Sequence, residues 1–362
     1  MNNKKTILQT IKDSSVLYTL IAIVTGFIVG AVLLAIIGVN PLEAYGKLAD
    51  GIFGKPKYIA WSIVYASPLI LTGLSVAFSF KTGVFNIGAE GQFVVGSMAA
   101  CIVGVCLDLP PVLHAVVCAL AAMLAGALWG TIVAVLKVKK GINEVLSYIM
   151  FNWIAYYLSN YLVNTEFLHN EGNAEATKDI ASSASIVFPE FITKLTDCKN
   201  ANWGIVIAIA AAVVIWFIIS KTTLGFQLRA VGFNKNAAEY GGINSGAAVM
   251  KAMAISGAMA GLGGMVQLCG MGSRISQFAG QEGFGFEGIS VALIASSNPI
   301  GCVFAGIFYG MMKYGGTKLT LINAPSEVID IIMGVIVLFI AISHVFRHIF
   351  NKKKLNTKKG GK

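Results

Sequence analysis

Long apolar runs separated by short polar connections make up most of the chain. The first run, residues 16–39, contains no charged side chain. At about 1.5 Å per residue in a helix it is longer than the ~30 Å hydrocarbon core of a bilayer. Nine more runs follow, at about 58–80, 84–107, 112–136, 144–163, 203–220, 245–270, 286–297, 300–314 and 327–346. The pattern predicts an all-α polytopic membrane protein with about ten transmembrane helices.

Two of these runs are too short for ordinary membrane spans. Residues 286–297 and 300–314 are separated by SSNPIG, in which Pro299 cannot continue a helix. They predict short or broken helices inside a bundle, because irregular backbone at membrane depth must be shielded by protein or line a watery cavity. Each half of the chain also places an acidic residue, Glu90 or Glu287, among glycines at the start of an apolar run. This similarity between the two halves predicts an inverted internal repeat around a central transport site.

The charges indicate the orientation of the spans. Lysine and arginine concentrate in segments that the span count places inside, whereas the loop 164–202 carries six acidic residues against three lysines. By the positive-inside rule this bias places both termini in the cytoplasm. Lys47, Lys55 and Lys57, in the first outside loop, are the exception. The first run is too long for the cleaved hydrophobic region of a signal peptide, so we expect a retained first helix.

No linker of distinct composition interrupts the chain, which predicts one membrane domain. Its parts are a cytoplasmic N-terminus at 1–15, a transmembrane domain at 16–346 and a basic cytoplasmic tail at 347–362. Within the domain we expect an external loop at 164–202, long enough for a small folded cap, and a cytoplasmic loop at 221–244.

Composition leads to the same class of protein. Hydrophobic residues are 56% of the chain and charged residues only 12%, against about a quarter charged in globular domains. The net charge of +10 lies mainly in loops and tail, which predicts contact with a lipid bilayer and none with nucleic acid. The six cysteines show no CxxC spacing, and five lie in apolar runs, as buried apolar side chains do. No metal site is predicted, because His344 and His348 end the last run beside Arg347, where solvated histidines are expected.

No catalytic machinery is recognisable in the sequence. A G-x-x-x-x-G-K-[ST] sequence is missing, and GGTKLT at 315–320 lacks its spacing. No Ser/His/Asp or Cys/His arrangement indicates a nucleophile. The sequence therefore predicts a protein that is not an enzyme and binds no cofactor itself. Active transport by such a chain would draw on an ion gradient or on another subunit.

The cytoplasmic loop contains a predicted short helix in NKNAAEYGGI. Asn234 or Asn236 can cap its start, and two glycines, at 241 and 242, can end it. Arg229 precedes this helix and Glu239 lies in it. A short helix of this kind suits docking onto a soluble protein, and it equally suits a solvated connector.

Polar residues within the apolar runs are the candidate substrate pathway, since buried amides and carboxylates are costly in a membrane and usually face a cavity or one another. The candidates are Asn86, Glu90, Gln92, Asn152, Trp153, Glu287 and Asn298, with Gln267 also polar in the second half. For Glu90 and Gln92, lining the path and bracing the helices are equally favoured. Asn143 and Glu144 begin a run, so we interpret them as helix-capping residues with a gating role as the second reading.

Five short sequence motifs, taken in their order along the chain, resemble those of a known protein family. They are FNIGAEGQ, GINEVLSYIMFNWIA, LRAVGFNKNAAEYGGI, SGAMAGLGGMVQLCG and GFGFEGISVALIASSNPIG, spread over residues 85–301. Together they resemble the permease subunits of bacterial ABC importers of the branched-chain-amino-acid/ribose superfamily. The most similar branch transports nucleosides and simple sugars and works with binding proteins of the basic-membrane-lipoprotein type.

The resemblance implies an all-helical permease in the bacterial cytoplasmic (inner) membrane. Its expected partners are a second permease, two ATP-binding subunits that use ATP and Mg inside, and a substrate-binding lipoprotein outside. Carried over to this chain, the expected coupling residues are Arg229, Gly232, Ala238, Glu239 and Gly242. The expected substrates are nucleosides or related sugar-like solutes, for which Asn86, Gln92, Asn152 and Trp153 would supply hydrogen bonds and a stacking surface. The alternative is an ion-coupled secondary transporter of a small polar solute.

Overall fold

The computed structural model describes residues 15–170 and 172–342. Helices dominate these residues, and the only strands in them form one antiparallel hairpin. The α-helices are α1 Ser15–Ile36, α2 Pro41–Phe53, α3 Pro56–Phe80, α4 Ala89–Cys106, α5 Leu113–Lys140, α6 Glu144–Val163, α7 Glu190–Leu195, α8 Gly204–Lys221, α9 Thr223–Phe233, α10 Lys235–Tyr240, α11 Ser245–Gly270, α12 Phe284–Ile294, α13 Pro299–Gly316 and α14 Val328–Ile342. The strands are β1 His169–Asn170 and β2 Asn173–Thr177, and single 3-10 turns lie at Ser182–Ala184 and Leu319–Ile322.

Five of these helices are long and apolar enough to cross a membrane, namely α3, α4, α5, α8 and α11. Shorter apolar helices lie at Leu20–Ile36, Phe284–Ile294 and Val328–Ile342. A helical, multi-pass membrane protein is therefore confirmed, whereas the count of ten crossings and the cytoplasmic location of both termini stay predictions. The predicted N-terminal segment up to residue 14, the basic tail and both of its neighbouring histidines lie outside the described residues.

The apolar run predicted at 84–107 does not begin as a helix. Residues 81–88 are irregular, Gly83 has a φ of +72°, and α4 starts only at Ala89. Apolar composition cannot distinguish a buried irregular segment from a helix. The run at 286–297 is also shorter than predicted, because α12 ends at Ile294 and is followed by two serines with left-handed backbone, at 296 and 297.

Two helices occur where the sequence predicts loops. Residues 41–53, assigned to the first outside loop, form α2, and most of the first half of the cytoplasmic loop forms α9. Both are short helices with mixed apolar and polar residues, so neither stands out as a run of apolar sequence. The segment 221–244 therefore contains α9 in addition to the predicted short helix, and its cytoplasmic location stays a prediction.

The chain divides into two compact units, where the sequence predicts one domain. Residues 52–314 form one unit, and residues up to 51 and from 315 onward form the other. Within the smaller unit, α1 packs closely on α14, since a Cβ at Gly26 would lie 2.3 Å from the Ile336 side chain. Tyr45 of α2 donates a hydrogen bond to the Phe27 carbonyl oxygen of α1 at 2.5 Å.

In the larger unit, helices α4, α5 and α11 meet at glycines. A Cβ at Gly257 of α11 would lie 2.2 Å from the Gly126 carbonyl oxygen of α5. A Cβ at Gly96 of α4 would lie 2.3 Å from the Cα of Gly261 in α11. Small residues at such crossings allow helix backbones to touch, as is common between membrane helices.

The loop 164–202 folds as a cap on the segment that follows α11. The backbone N–H of Thr177 donates to the Ile275 carbonyl oxygen at 2.9 Å, and that of Ile180 donates to Ser273 at 2.7 Å. In the opposite direction, the backbone N–H of Gln277 donates a hydrogen bond to the Glu175 carbonyl oxygen at 2.7 Å. The cap thereby holds residues 271–283 in place, and we call this end of the larger unit the cap end.

Candidate functional site

The N-termini of α4 and α12 meet inside the larger unit. Each follows an irregular segment, residues 81–88 after α3 and residues 271–283 after α11. A Cβ at Gly285 would lie 2.1 Å from the backbone nitrogen of Glu90, so the two helix starts are in backbone contact. Both halves of the chain thus contain a long helix, an irregular segment and a helix that starts in the interior, while the inverted repeat stays a prediction.

The Glu90 side chain of α4 caps the start of α12. It is only 1% exposed, and its two carboxylate oxygens accept hydrogen bonds from the backbone N–H groups of Gly283 and Gly285, both at 2.7 Å. The first N–H groups of a helix lack partners within it, and its dipole favours a negative group at that end. Glu90 therefore has the contacts of a bracing residue, while its role in the pathway stays a prediction.

Asn86 and Gln92 form a closed amide pair beneath this contact. The Asn86 Nδ2 group donates to Gln92 Oε1 at 2.9 Å, and Gln92 Nε2 donates back to Asn86 Oδ1 at 3.2 Å. Asn86 also donates to Ser256 of α11 at 2.6 Å, and the Ser256 hydroxyl donates to the Ser75 carbonyl oxygen of α3 at 2.7 Å. The network satisfies buried polar groups that would otherwise be costly and ties the irregular segment to two helices.

Asn152 and Trp153 of α6 lie in different surroundings. Asn152 is 2% exposed; it accepts a hydrogen bond from the Gly91 N–H at 2.9 Å and donates to the Ile87 carbonyl oxygen at 3.1 Å. Trp153 is 43% exposed and packs against neighbouring tyrosines of its own helix. Successive helical residues do not face the same side, so the structure does not bring this indole to the buried amides. A role for Trp153 in the substrate pathway stays a prediction.

The remaining predicted residues make local contacts at helix ends. Glu287 of α12 forms an ion pair with Lys313 of α13. Asn298 caps α13 by accepting hydrogen bonds from the N–H groups of Ile300 and Gly301 at 3.0 and 3.2 Å.

Asn143 is the N-cap of α6. It accepts from the Val145 N–H at 2.8 Å, and the next residue, Glu144, pairs with Lys137 of α5 at 2.5 Å. These are the contacts of helix-capping residues, while a gating role for the pair stays a prediction.

A cavity of about 210 Å³ lies at the cap end, between α4, α11 and the segment 271–283. We call it the outer cavity, because the loop that caps this end is predicted to be external. Its polar lining consists of Ser97, Gln267, Arg274, Ser276, Gln277 and Glu282. None of the seven predicted pathway residues lines it.

Glu282 is the acidic residue of the outer cavity. The residue as a whole is exposed to solvent, while its carboxyl group lies against protein atoms. Burial raises the pKa of this carboxyl to about 7, and the Glu90 carboxylate adds to the shift. The sequence reasoning missed Glu282 because it placed residues 271–283 between two spans. The sequence feature that could have identified Glu282 is its position directly before the motif GFGFEG.

An aromatic pair lies one turn of α4 away from Ser97 of the outer cavity. The rings of Phe93 and Phe284 are stacked, with their centroids 5.3 Å apart. Glu90, Phe93 and Ser97 are spaced three and four residues apart, so they follow one face of α4. Along this face the carboxylate cap comes first, then the rings, then the cavity wall.

At the opposite end, α9 packs on the turn that precedes the irregular segment. A Cβ at Gly232 would lie 2.2 Å from the Lys81 carbonyl oxygen and 3.1 Å from the Gly83 nitrogen. Arg229 of the same helix donates from Nε to the Gly225 carbonyl oxygen at 3.3 Å.

The predicted short helix that follows, α10, is confirmed. Asn234 caps it by accepting from the Ala237 N–H at 3.0 Å, and Gly242 beyond its end has a φ of +81°. Ala238 is buried, whereas Tyr240 is 98% exposed, and Glu239 accepts a hydrogen bond from Ser245. The helix therefore presents an aromatic side chain to its surroundings.

Comparisons with known proteins identify relatives of the chain. The model of a family described as branched-chain amino acid transport system / permease component matches residues 58–341. The chain is 40% identical to the guanosine ABC transporter permease protein NupP of Bacillus subtilis, over 94% of this chain and 97% of that protein. It is 35% identical to the nucleoside ABC transporter permease protein NupB of Lactococcus lactis, over 95% of each chain. It is 30% identical to the glucose ABC transporter permease protein TsgB13 of Haloferax volcanii, over 90% of this chain and 87% of that one. No solved structure matches the chain.

Proposed function

The chain belongs to the family of branched-chain amino acid transport system permease components, and from this premise we propose that it is the permease subunit of an ATP-driven importer of nucleosides. The observation that carries the proposal is its similarity to a guanosine permease over nearly the full length of both chains. An ion-coupled secondary transporter is not favoured.

The partners of this permease are proposed from its family and its chemistry. A permease component implies further components, and the sequence offers no phosphate-binding loop of its own. We assign ATP and Mg to two ATP-binding subunits in the cytoplasm. A second permease and an external substrate-binding lipoprotein complete the complex, in the cytoplasmic membrane of a bacterium.

The helices α9 and α10 supply the proposed contact with the ATP-binding subunits. Phe233, at the end of α9, is 90% exposed and Tyr240, at the end of α10, is 98% exposed, so the two helices offer aromatic side chains that a partner protein can cover. Gly232 connects this surface to the Lys81 turn, which leads through the segment 81–88 to Glu90. A displacement of α9 can therefore reach the contact between α4 and α12 through backbone alone.

A substitution at Gly232 tests this connection. Gly232→Ala places a methyl group 2.2 Å from the Lys81 carbonyl oxygen, so α9 must move away from the turn. We expect the assembled complex to retain its substrate preference but to lose at least fivefold of the ATPase stimulation by substrate-loaded lipoprotein. Gly241→Ala is the matched control, because its nearest neighbour would be 3.4 Å away. A changed substrate preference in Gly232→Ala, with stimulation intact, would contradict the coupling assignment.

The substrate class is tested by competition. The complex, reconstituted in proteoliposomes, is loaded with labelled guanosine in the presence of excess unlabelled nucleosides, free bases or hexoses. We expect nucleosides to compete and hexoses not to compete. Because one relative is named a glucose permease, competition by hexoses alone is the outcome that assigns sugars instead.

A further inference from the structure

The outer cavity has room for one small ring and little more. Its volume of about 210 Å³ corresponds to about seven water molecules at ~30 Å³ each. Pockets for drug-sized ligands usually measure about 300–1,000 Å³. A sugar ring fits this volume.

Two acceptors in the cavity lack partners. The Oε1 atom of Gln267 is buried and accepts no hydrogen bond from any described residue. The Glu282 carboxylate has no hydrogen-bond or ion-pair partner among the described residues. Buried polar atoms are normally satisfied, so the Gln267 oxygen suits a donor supplied from outside the chain, such as a hydroxyl group. The Glu282 carboxylate, which solvent reaches, can accept from a neighbouring hydroxyl group of the same molecule.

The charges of the lining favour a neutral solute. Glu282 repels anions, and the Arg274 guanidinium, whose nearest acidic oxygen is 4.0 Å away on Asp179, repels cations. Adjacent hydroxyl groups can donate to the carboxylate and the amide oxygen while they accept from the guanidinium. Phe278 adds an apolar surface to the same wall.

From this lining we infer that the outer cavity is a permease subsite that binds the sugar hydroxyl groups of the transported solute. The inference rests on the proposed function, because it takes nucleosides as the solute. The stacked Phe93 and Phe284 rings belong to α4 and α12, and Phe93 lies one turn of α4 from Ser97 of the cavity lining.

The test compares guanosine with 2′,3′-dideoxyguanosine, which lacks two sugar hydroxyl groups. Initial uptake of each is measured in proteoliposomes that contain the full complex, and the ratio of the two rates is taken for wild type and variants. The lipoprotein is identical in all of them, so its own preference cancels when the ratios are compared, as in a double-mutant cycle. Glu282→Ala removes the carboxylate, Gln267→Leu removes the amide, and Glu166→Ala, outside the cavity, is the matched control.

We expect Glu282→Ala to lower the guanosine to dideoxyguanosine ratio about tenfold, the effect of losing a hydrogen bond to a charged group. Gln267→Leu lowers it by a smaller factor, and Glu166→Ala leaves it unchanged. Unchanged ratios in both cavity variants, with guanosine uptake intact, overturn the subsite but leave the importer assignment standing. Absence of guanosine uptake by the wild-type complex overturns the importer assignment itself. If the complex with Glu282→Ala does not assemble, the uptake ratio of Gln267→Leu decides whether the subsite exists.

Discussion

Replacing Glu90 with alanine is expected to abolish nucleoside uptake. The substitution removes the acceptor of two 2.7 Å hydrogen bonds from the N-terminus of α12 and leaves those backbone N–H groups buried without partners. Hydrogen bonds to a charged group contribute about 1.5–3 kcal/mol each, so we expect a loss of about 3 kcal/mol or more at this contact. The measurement is guanosine uptake by the reconstituted complex, together with its thermal unfolding temperature in detergent.

Glu90→Gln keeps the shape of the side chain but removes its charge, so it tests which of the two the contact requires. Glu90→Gln keeps one acceptor oxygen but turns an NH₂ group toward the second backbone N–H, so we expect most of the loss to remain. Glu190→Gln, on the exposed helix α7, is the control and should behave as wild type. Full uptake by both Glu90 variants would show that the cap on α12 is dispensable.

Gly285→Ala is the second substitution with a large expected effect. Its methyl group would lie 2.1 Å from the Glu90 nitrogen and 2.3 Å from its Cα, and backbone atoms cannot move aside by changing a rotamer. Overpacking in a core costs about 1–3 kcal/mol and occasionally more, and a backbone collision belongs at the upper end. We expect uptake to fall more than tenfold, measured in the same proteoliposomes.

The chain offers a close control for this steric argument. Gly280 lies in the same irregular segment, and a Cβ there would meet nothing within 4 Å. Gly280→Ala should therefore transport normally. If Gly285→Ala also transports at the wild-type rate, the two helix starts are not in contact in the working protein.

Both substitutions act on one continuous path through the larger unit. It leads from Gly232 in α9, through the Lys81 turn and the irregular segment, to Glu90 and then to α12. The Phe93 and Phe284 rings belong to the two helices that meet at Glu90. The path thus connects α9 to the two helices that carry these rings.

The sequence predicted correctly those helices whose formation depends on interactions between residues that are close in the chain. The Asn234 cap and the glycines after Tyr240 define α10, and short-range chemistry was sufficient to predict it. The long apolar helices followed from length and composition. The family could be identified from five short motifs. Each motif alone has little specificity, but the five in the same order along one chain are specific for the family.

It failed where the outcome depended on tertiary contacts. The segment 81–88 is apolar enough for a helix, but its conformation is set by Asn86 and Asn152, which hydrogen-bond to distant groups. The role of Glu90 depends on α12, which lies far along the chain. The outer cavity depends on the cap that holds residues 271–283. None of these contacts has a periodic sequence signal.

The most direct test of the importer assignment is the energy source of uptake. Guanosine accumulation is measured in proteoliposomes that contain either the purified chain alone or the chain with its second permease, ATP-binding subunits and lipoprotein. We predict accumulation only in the complete complex with ATP on the cytoplasmic side, and no loss when ionophores collapse the ion gradients. Accumulation by the chain alone, driven by an imposed ion gradient and abolished by ionophores, would contradict the account.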